Sequence, residues 1–508
     1  MATLQIRDPY TNEELKRLYP SNLTLHLVQV FHRHGERTPT GPRFENVGLP
    51  KIWPYCSIAQ QMVSHVLETR NSETQWSPLH WQRQIESLNK NGQASVASGP
   101  NGGNNSLCKN GELTDTGRMT TYKLGQRLRH LYVDQLKFLP GILEDTNIFY
   151  LRSSTYPRAL ESLQQVFRGM YPASTRATSL GPLTIITRNE SEENLYPSFY
   201  NCQRFSQLVK AFSQRSADRW NKTTEMEYVN RILSKWMPED CKTVAVDSHP
   251  RLSGIYDTIN ATIAHGEETR LPDEFYGAEL RKIIDKICVD EFYSGYKESQ
   301  EYRTLGIGSL MGEIVDRMTR VVEYNKVSES LQLKKDEFTA VSKDRRNDIK
   351  FAINGCHDTT LAAILTSLDA FGDSTWPPFT SHIALELFKR SATIPDKKIT
   401  LHRDKTAESF RIAESPECKL SELMKETRVA RKKVEDYSKE DQSLFDEYFV
   451  RIRYNDDVMV IPGCAKPGNH LEGNKSFCTL KAFKNIVDQF VPSSRESICM
   501  ADLNMPVI

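Results

Sequence analysis

The chain has almost no excess charge and no long apolar run. Its 508 residues include 66 lysines and arginines against 65 aspartates and glutamates, which gives a net charge of +1. A balanced chain has no global field with which to hold nucleic acid or an anionic membrane, so neither is expected as a partner. No apolar stretch approaches the roughly 20 residues of a transmembrane helix. Any anion that the protein binds must therefore be held by a local cluster of cations.

The N-terminal region lacks the features of a targeting segment. Residues 1–20 contain no apolar core of the kind that a secretory signal carries. Asp8, Glu13 and Glu14 argue against a strongly basic transit peptide. We therefore expect an intracellular protein, in the cytoplasm in the first instance, with a mitochondrial location left open.

The ten cysteines include no CxxC pair, which argues against a structural zinc site. Their even number and six Asn-X-Ser/Thr sequons would suit a secreted protein. Sequons are frequent by chance, however, and a signal core is missing, so we expect mostly reduced thiols. The sequons begin at Asn22, Asn104, Asn189, Asn221, Asn260 and Asn474.

Three apolar stretches have the pattern of buried parallel strands, and each ends in a polar loop. Alternation of such strands with helix-like periodicity predicts a doubly wound α/β sheet. Ligands of these sheets bind at the carboxyl ends of the strands, so the polar loops mark the expected site. The predicted strands are 25–31, 148–151 and 349–353, and the predicted helices are 116–136, 158–170 and 360–371.

Two long segments are expected to be additions to this sheet. Residues 41–111 form an excursion without clear structure, whose length is typical of a lid or a binding loop. Residues 187–344 are charged and helix-like, which predicts a helical cap inserted into the chain. Residues 1–186 and 345–508 would then form one α/β catalytic domain.

The C-terminal part is predicted to return to the sheet. Residues 382–388 and 448–453 have the composition of two further strands. The stretch at 389–447 is rich in lysine and glutamate. We expect it to be a solvated helical insertion rather than a partner-binding tail.

The first polar loop, residues 33–39 with the sequence RHGERTP, concentrates the residue types that bind and attack a phosphate monoester. Arginine forks match phosphate oxygens bidentately and keep their charge, which suits Arg33 and Arg37 to phosphate binding. A neutral histidine such as His34 is a competent nucleophile. Gly35 would let the backbone approach closely or turn. The loop therefore predicts a phosphate site with a histidine at its centre.

This RHGxRxP pattern resembles the signature of the histidine acid phosphatases, a branch of the histidine phosphatase superfamily. The resemblance implies a phosphoglycerate-mutase-like fold. It also implies a His-Asp pair after a late strand, which His357 and Asp358 match. By itself a His-Asp dipeptide is a weak signal, since Asp358 could simply cap the following helix. Its place after an apolar strand favours a functional role.

The other family elements are matched less closely. The pattern RSTxxxR corresponds to residues 152–158, with Ser154 in place of the usual threonine. By this resemblance Arg158 is a third phosphate-binding arginine, whereas Arg152 is expected to be structural. Segments 113–117 and 124–128 resemble a family helix that packs beside the site, and we assign them a packing role. The family often has a cysteine pair near the C-terminus, in a place comparable to that of Cys464 and Cys478, and a disulfide there is left open.

The resemblance implies a mechanism without metal or other cofactor. His34 attacks the phosphorus atom and forms a phosphohistidine, and Asp358 protonates the leaving alkoxide. His32 departs from the small or apolar residue that is common before RHG, and strand alternation points it the same way as His34. No third ligand at suitable spacing supports a metal site, so His32 is expected to be a packed or hydrogen-bonded neighbour. The groups that would bind the phosphoryl oxygens are Arg33, Arg37, Arg158 and His357.

Two alternatives stay open. A phosphomutase of the same superfamily usually carries a glutamate as its acid, whereas an aspartate after His357 suits a phosphatase. A degenerate binding or scaffold protein would have lost His34, Arg37 or Asp358, and none is lost.

The expected substrate is a small phosphate monoester. Segments 113–133, 195–197 and 376–379 resemble the family members that hydrolyse lysophosphatidate, so a lysophospholipid is a candidate. A highly charged substrate such as phytate would need extra lysines around the site, and residues 41–111 supply few. The oligomeric state stays open.

Overall fold

The computed structural model describes residues 2–70, 73–89, 91–197, 199, 201–330, 349–372, 374–391, 432–492 and 499. Their strands are β1 Leu23–Arg33, β2 Met62–Arg70, β3 Glu73–Trp81, β4 Glu86–Leu88, β5 Ala94–Val96, β6 Phe149–Ser153, β7 Phe351–Cys356, β8 His382–Arg390, β9 Tyr448–Tyr454, β10 Asp457–Met459, β11 His470–Leu471 and β12 Asn474–Thr479. Their helices are α1 Asn12–Leu18, α2 Asp115–Arg129, α3 Pro157–Met170, α4 Gln203–Trp220, α5 Thr224–Leu233, α6 Leu252–Ile263, α7 Ala278–Glu298, α8 Gln300–Arg303, α9 Ser309–Ser330, α10 Asp358–Ser367, α11 Lys439–Phe445 and α12 Leu480–Asp488.

A mixed eight-stranded sheet lies at the centre of the fold. Its strand order is β11-β12-β9-β8-β1-β7-β6, and β10 pairs with β9. Strands β1, β7 and β6 are parallel, which confirms the three strands predicted from the apolar stretches. The two predicted returning strands are present as β8 and β9, but they run antiparallel to their neighbours. The sheet is therefore parallel on one side of β1 and antiparallel on the other.

Helices cover both faces of this sheet. Val28 and Val30 of β1 pack in a core with α2 and α3, whereas Leu27 and Phe31 pack in a second core with α9, α10 and α12. Successive strand residues point to opposite faces, so one strand supplies both cores. Burial on both faces explains why the strand reads as a near-continuous apolar run. The α/β sheet wound on both sides is thus confirmed.

Two glycines let α2 and α3 cross with their backbones in contact. A β-carbon on Gly125 would overlap the carbonyl oxygen of Val166, and one on Gly169 would overlap that of Tyr122. The segment 124–128 therefore has the packing role that the sequence predicted. The helix predicted at 116–136 is α-helical as far as Arg129. It then continues as a π-helical turn, His130–Gln135.

Residues 203–330, called the helical segment below, consist of helices α4 to α9 and their connections. Side chains such as Val229, Leu252, Ile255 and Ile284 form a core of their own there. The helical character agrees with the sequence prediction, while the domain bounds at 187–344 stay a prediction because residues 331–348 lie outside the described residues. Most of the predicted charged insertion, residues 392–431, also lies outside them.

The excursion at 41–111 has regular structure, so the expectation of a structureless loop is wrong. It contains two antiparallel hairpins, β2–β3 and β4–β5. Its first part is anchored by Phe44, Leu49 and Trp53, which are buried in the core of the helical segment. The alternation of apolar and polar residues in the hairpins is weak, because both of their faces are largely exposed.

The expectation of mostly reduced thiols is also wrong, because six of the nine cysteines among the described residues form disulfides. The pairs lie 52, 297 and 14 residues apart in sequence, with Cα–Cα distances of 5.2, 4.8 and 5.3 Å. These distances are typical of disulfides. Only the fold brings such separated residues together, so the sequence offered no signal for two of the pairs. The pairs are Cys56–Cys108, Cys202–Cys499 and Cys464–Cys478, the last of which the family resemblance had left open.

Candidate active site

The parallel strands bring the six predicted site residues to one edge of the sheet. Arg33 pairs in register with Cys356, the last residue of β7, and Ser153 at the end of β6 pairs with Gly355. All three strands therefore end at the same level, and the loops that follow them meet there. Those loops and the first turns of α3 and α10 carry His34, Arg37, Arg158, His357 and Asp358.

His34 is buried at the centre of this edge, with 1% of its surface exposed. Its Nδ1 atom lies 2.8 Å from the carbonyl oxygen of Gly35. Burial, reinforced by the charges of Arg158, Arg33 and Arg37, holds the pKa of His34 well below its usual range. A neutral ring that donates its Nδ1 proton to a carbonyl keeps the Nε2 lone pair free. The side chain is thus in the state that a nucleophile requires.

The loop that carries His34 packs directly on the first turn of α2. A β-carbon on Gly35 would overlap the backbone of Gly117, and one on Gly117 would overlap the carbonyl oxygen of Glu36. The backbone N–H of Gly35 also donates to Ser162 Oγ of α3, at 3.1 Å. The two glycines of the sequence motifs are therefore required for close approach of two backbones.

Two of the three arginines are held in place by other groups. Arg33 donates from Nη1 to the carbonyl oxygen of Pro377 at 2.6 Å, and its guanidinium carbon lies 4.1 Å from the centre of the Phe379 ring. Arg37 donates to the carbonyl oxygen of Thr38 at 3.0 Å. These contacts keep both arginines beside the site before an anion arrives, so less conformational freedom is lost on binding.

Arg158 differs because no carboxylate pairs with it among the described residues. Its guanidinium carbon lies 4.3 Å from the centre of the Tyr156 ring, and its buried Nε atom has no hydrogen-bond partner in the same part of the chain. Burial and the neighbouring charge of Arg37 lower the pKa of Arg158 to about 10. An unpaired buried cation is costly unless it receives an anion.

Arg152 has a different environment and contacts Glu193, Asn194 and Glu313. This buried ion cluster gives it the structural role that the sequence predicted.

His357 lies opposite His34. The two ring centres are 5.5 Å apart, and Nε2 of His357 lies 2.9 Å from Ser154 Oγ. Ser154, which stands where the sequence pattern usually has threonine, therefore contacts His357 through its hydroxyl. Burial and the charge of Arg158 hold the pKa of His357 well below its usual range, so the ring is neutral. A neutral imidazole can still donate one hydrogen bond to a phosphoryl oxygen.

Asp358 is held by three donors. Arg33 Nη2 lies 2.8 Å from its Oδ2, the indole Nε1–H of Trp376 donates to the same oxygen at 3.0 Å, and the backbone N–H of Thr359 donates to Oδ1 at 2.8 Å. Burial alone would raise the pKa of Asp358, but its polar neighbours, Arg33 and Arg37 foremost, together lower it. Asp358 is therefore a carboxylate before substrate binds.

Sequence reasoning missed Asp257 as part of this site. Its Oδ1 lies 2.8 Å from Arg37 Nη2, and its Oδ2 accepts hydrogen bonds from the backbone and hydroxyl groups of Thr40. Burial alone would raise the pKa of Asp257, but Arg37, Thr40 and Arg43 together lower it. The residue lies on α6, 220 positions after Arg37 in the chain. Asp257 is the one charged residue of α6, but no sequence pattern connects a helical carboxylate to an arginine so far away in the chain.

Trp376 belongs to the segment 376–379, which resembles family members that hydrolyse lysophosphatidate. No sequence pattern indicated its hydrogen bond to Asp358.

His32, by contrast, is the hydrogen-bonded neighbour that the sequence predicted. Its Nδ1 lies 3.2 Å from the carbonyl oxygen of Arg33, and the residue pairs with His382 on β8.

A groove of about 890 Å³ leads from this site along the helical segment. Arg33, Arg37 and Asp358 of the site line it, together with the rings of Tyr256, Phe292 and Trp376. None of the described residues that line it is a lysine. The two other arginines that line it are each paired with a carboxylate, Arg43 with Asp257 and Arg251 with Glu291. Outside the phosphate site the groove therefore offers little free positive charge.

Comparison with known proteins agrees with this geometry. The family model for branch 2 of the histidine phosphatase superfamily matches residues 24–413. A probable acid phosphatase of Schizosaccharomyces pombe is 36% identical over 484 residues, which cover 95% of each chain. Counting factor 60 of Dictyostelium discoideum is 24% identical, with 74% of this chain and 79% of that protein covered. Human lysophosphatidic acid phosphatase type 6 is 25% identical, with 73% and 75% covered.

The match to the family model spans β1, β6, β7 and β8, and with them all six predicted site residues. The mixed sheet with helices on both faces is the phosphoglycerate-mutase-like fold that the sequence motifs implied. This chain belongs to branch 2 of the histidine phosphatase superfamily, the branch of the histidine acid phosphatases.

Proposed function

We propose that the protein hydrolyses phosphate monoesters through a phosphohistidine formed on Nε2 of His34. One observation carries this proposal: a buried, neutral His34 whose Nδ1 is bonded to the carbonyl of Gly35, with three arginines around it. An anion would be attracted to these arginines and would find the lone pair of Nε2 beside it. The retained His34, Arg37 and Asp358 argue against a degenerate binding protein.

The reaction has two steps. In the first, Nε2 of His34 attacks the phosphorus atom, the bond between phosphorus and the ester oxygen breaks, and Asp358 gives its proton to the leaving alkoxide. In the second, water attacks the phosphohistidine and loses a proton to Asp358, and the bond between phosphorus and nitrogen breaks. Inorganic phosphate leaves and His34 is neutral again. Arg33, Arg37, Arg158 and His357 bind the phosphoryl oxygens in both steps.

The proton for the first step has to arrive with the substrate, because Asp358 is a carboxylate in the free protein. A phosphate monoester has its second pKa near about 6, so below that pH it binds as a monoanion that carries one proton. Binding also draws Arg33 toward the phosphoryl group, which removes the main charge that stabilises the Asp358 carboxylate. Transfer of the proton to Asp358 then prepares the acid for the leaving group.

Trapping of the labelled intermediate tests the proposal. Mixing with an aryl ester labelled in its phosphate and quenching in alkali should leave label on His34, because a phosphohistidine is stable in base and hydrolysed in acid. The variant His34→Ala should keep less than about 1% of the turnover, as expected for an essential nucleophile. His130→Ala, which changes an exposed histidine in the π-helical turn after α2, is the control and should keep full turnover. Label on another residue would contradict the assignment. Transfer of label to an added alcohol in place of water would favour a phosphomutase.

For the substrate, we propose a monoester with one phosphate and an extended apolar body, such as lysophosphatidate. The groove supports this choice because aromatic rings line it and its other two arginines, Arg43 and Arg251, are already paired. A polyphosphorylated substrate would need free cations along the same walls. The similarity to human lysophosphatidic acid phosphatase type 6 points the same way.

For the compartment, three disulfides weigh against the cytoplasmic expectation, because disulfides persist in oxidising surroundings. Three of the six sequon asparagines, Asn22, Asn104 and Asn189, are exposed. We therefore propose that the protein matures in an oxidising compartment. No helix of the described residues is both long and apolar enough to cross a bilayer. Intact mass before and after reduction tests the disulfides, since each one that is reduced adds two hydrogen atoms.

A further inference from the structure

Three hydrogen bonds connect the helical segment to Asp358. The indole Nε1–H of Trp376 donates to Asp358 Oδ2 at 3.0 Å. The backbone N–H of Trp376 donates to Oδ1 of Asp285 on α7 at 3.1 Å, and the hydroxyl of Tyr256 on α6 donates to the same oxygen at 2.5 Å. An unbroken chain of contacts therefore runs from α6 through α7 to the proposed general acid.

The ring of Trp376 is fixed by its packing. Its centre lies 5.2 Å from that of Phe292, 5.3 Å from that of Tyr293 and 6.1 Å from that of Tyr256. An indole in such a cage has little freedom to rotate, and its N–H can only donate. The indole therefore holds a single N–H donor in a fixed position, from which it donates to the carboxylate oxygen of Asp358.

This donor matters most when substrate is bound. Asp358 Oδ2 is shared between Arg33 and Trp376. A phosphoryl group competes for Arg33, because guanidinium forks match phosphate oxygens. Once Arg33 turns to the substrate, the indole is the side-chain donor that still holds Asp358. A displacement of about 1 Å at a reacting group can cost 10²-fold in rate.

We propose that Trp376, held by Asp285 and Tyr256, is a positioning residue that orients Asp358 for protonation of the leaving group. This inference rests on the proposed role of Asp358 as the general acid. The helical segment would then contribute to the chemical step as well as to the walls of the groove.

The experiment compares two substrates that differ in their need for an acid. Glycerol phosphate has a poor alkoxide leaving group, whereas 4-nitrophenyl phosphate has a good one. Trp376→Phe should lower kcat on glycerol phosphate by about 10- to 100-fold and kcat on the aryl ester by less than about 3-fold, with little change in either KM. Tyr256→Phe removes only one hydroxyl and should give a smaller loss of the same selectivity.

A matched control is available on α4. Trp220 also donates its indole N–H to a carboxylate, Asp290 Oδ2, at 2.8 Å, but away from the site. Trp220→Phe should leave both rates unchanged. Equal losses of Trp376→Phe on the two esters, or losses confined to KM, would overturn the inference while leaving the phosphatase proposal intact. If Trp376→Phe does not fold, Tyr256→Phe decides in its place, and unchanged selectivity there overturns the inference. A wild-type protein that hydrolyses neither ester would instead overturn the proposed function and the inference with it.

Discussion

Gly35 and Gly117 lie backbone to backbone, so that neither position has room for a β-carbon. The first glycine follows the proposed nucleophile, and the second lies in the first turn of α2. The contact therefore sets how far the loop with His34 stands from the helix beside it. Two motifs that are 82 residues apart in the chain are one structural unit in the fold.

Substitution of Gly117 tests this contact. We expect Gly117→Ala to lower the free energy of unfolding by about 1–3 kcal/mol, because an added methyl group forces two backbones apart. The rate should fall by about 10²-fold, since the loop with His34 has to move. Gly181→Ala is the matched control, because a β-carbon there meets open space. Urea unfolding and turnover of an aryl phosphate measure both effects, and equal behaviour of the two variants would contradict the prediction.

The pH profile should follow the substrate rather than the enzyme. Because His34 is neutral and Asp358 ionised in the free protein, the reactive complex needs the phosphate monoanion. We expect kcat/KM to fall about tenfold per pH unit above the second pKa of the ester, near about pH 6. The pH above which kcat/KM decreases should shift with the second pKa of the ester. If kcat/KM decreases above the same pH for every ester, the titrating group belongs to the protein instead.

Replacement of the proposed acid should discriminate between leaving groups. Asp358→Asn cannot deliver a proton, so we expect kcat on glycerol phosphate to fall by about 10²- to 10⁴-fold and on 4-nitrophenyl phosphate by much less. The binding of inorganic phosphate should weaken little, since the arginines remain. Similar losses on the two esters would mean that Asp358 positions the site and does not protonate.

Two buried histidines predict loss of stability in acid. Burial lowers the pKa of His32 and of His382 to about 4 each. Their unfolded values lie near about 6.5, so both groups favour the folded state above that pH. This contribution should decrease as pH falls from 6.5 toward 4, because the unfolded chain then binds protons that the folded protein cannot.

Variant His382→Gln tests this linkage. Its free energy of unfolding, measured with urea at several pH values, should depend less steeply on pH between 6.5 and 4 than that of the wild type. If the free energies of unfolding of the wild type and the variant depend equally on pH, unfolding does not change the protonation of His382 in this range.

Acyl length tests the proposed lipid substrate. A chain that enters the groove should gain up to about 0.8 kcal/mol per methylene, or about fourfold in kcat/KM, until the groove ends. Phe292→Ser, which replaces an aromatic wall, should reduce this slope. A flat profile with equal rates on glycerol phosphate would leave a monoesterase of broad specificity.

The sequence predicted the part of the site that comes from consecutive residues. The loops after β1, β6 and β7 could be located because each follows an apolar run, and parallel strands bring their carboxyl ends together. The antiparallel direction of β8 and β9 could not be predicted, because burial on both faces gives the same apolar pattern in either direction. The contacts of Asp257 with Arg37 and of Trp376 with Asp358 depend on how the helical segment packs. The pairing of Cys202 with Cys499 depends on the same long-range packing.

Neighbouring residues of α6 contact different parts of the proposed site. Tyr256 is connected through Asp285 and Trp376 to Asp358, the proposed acid, and Asp257 pairs with Arg37, a proposed phosphate ligand. A chimaera that exchanges helical segments between relatives would therefore have to transplant the two contacts together. A chimaera that keeps the contact of Asp257 but loses that of Tyr256 should still bind phosphate and should hydrolyse alkyl esters slowly. Protein engineers who wish to change the groove can alter its walls around Phe292 and leave this pair of residues in place.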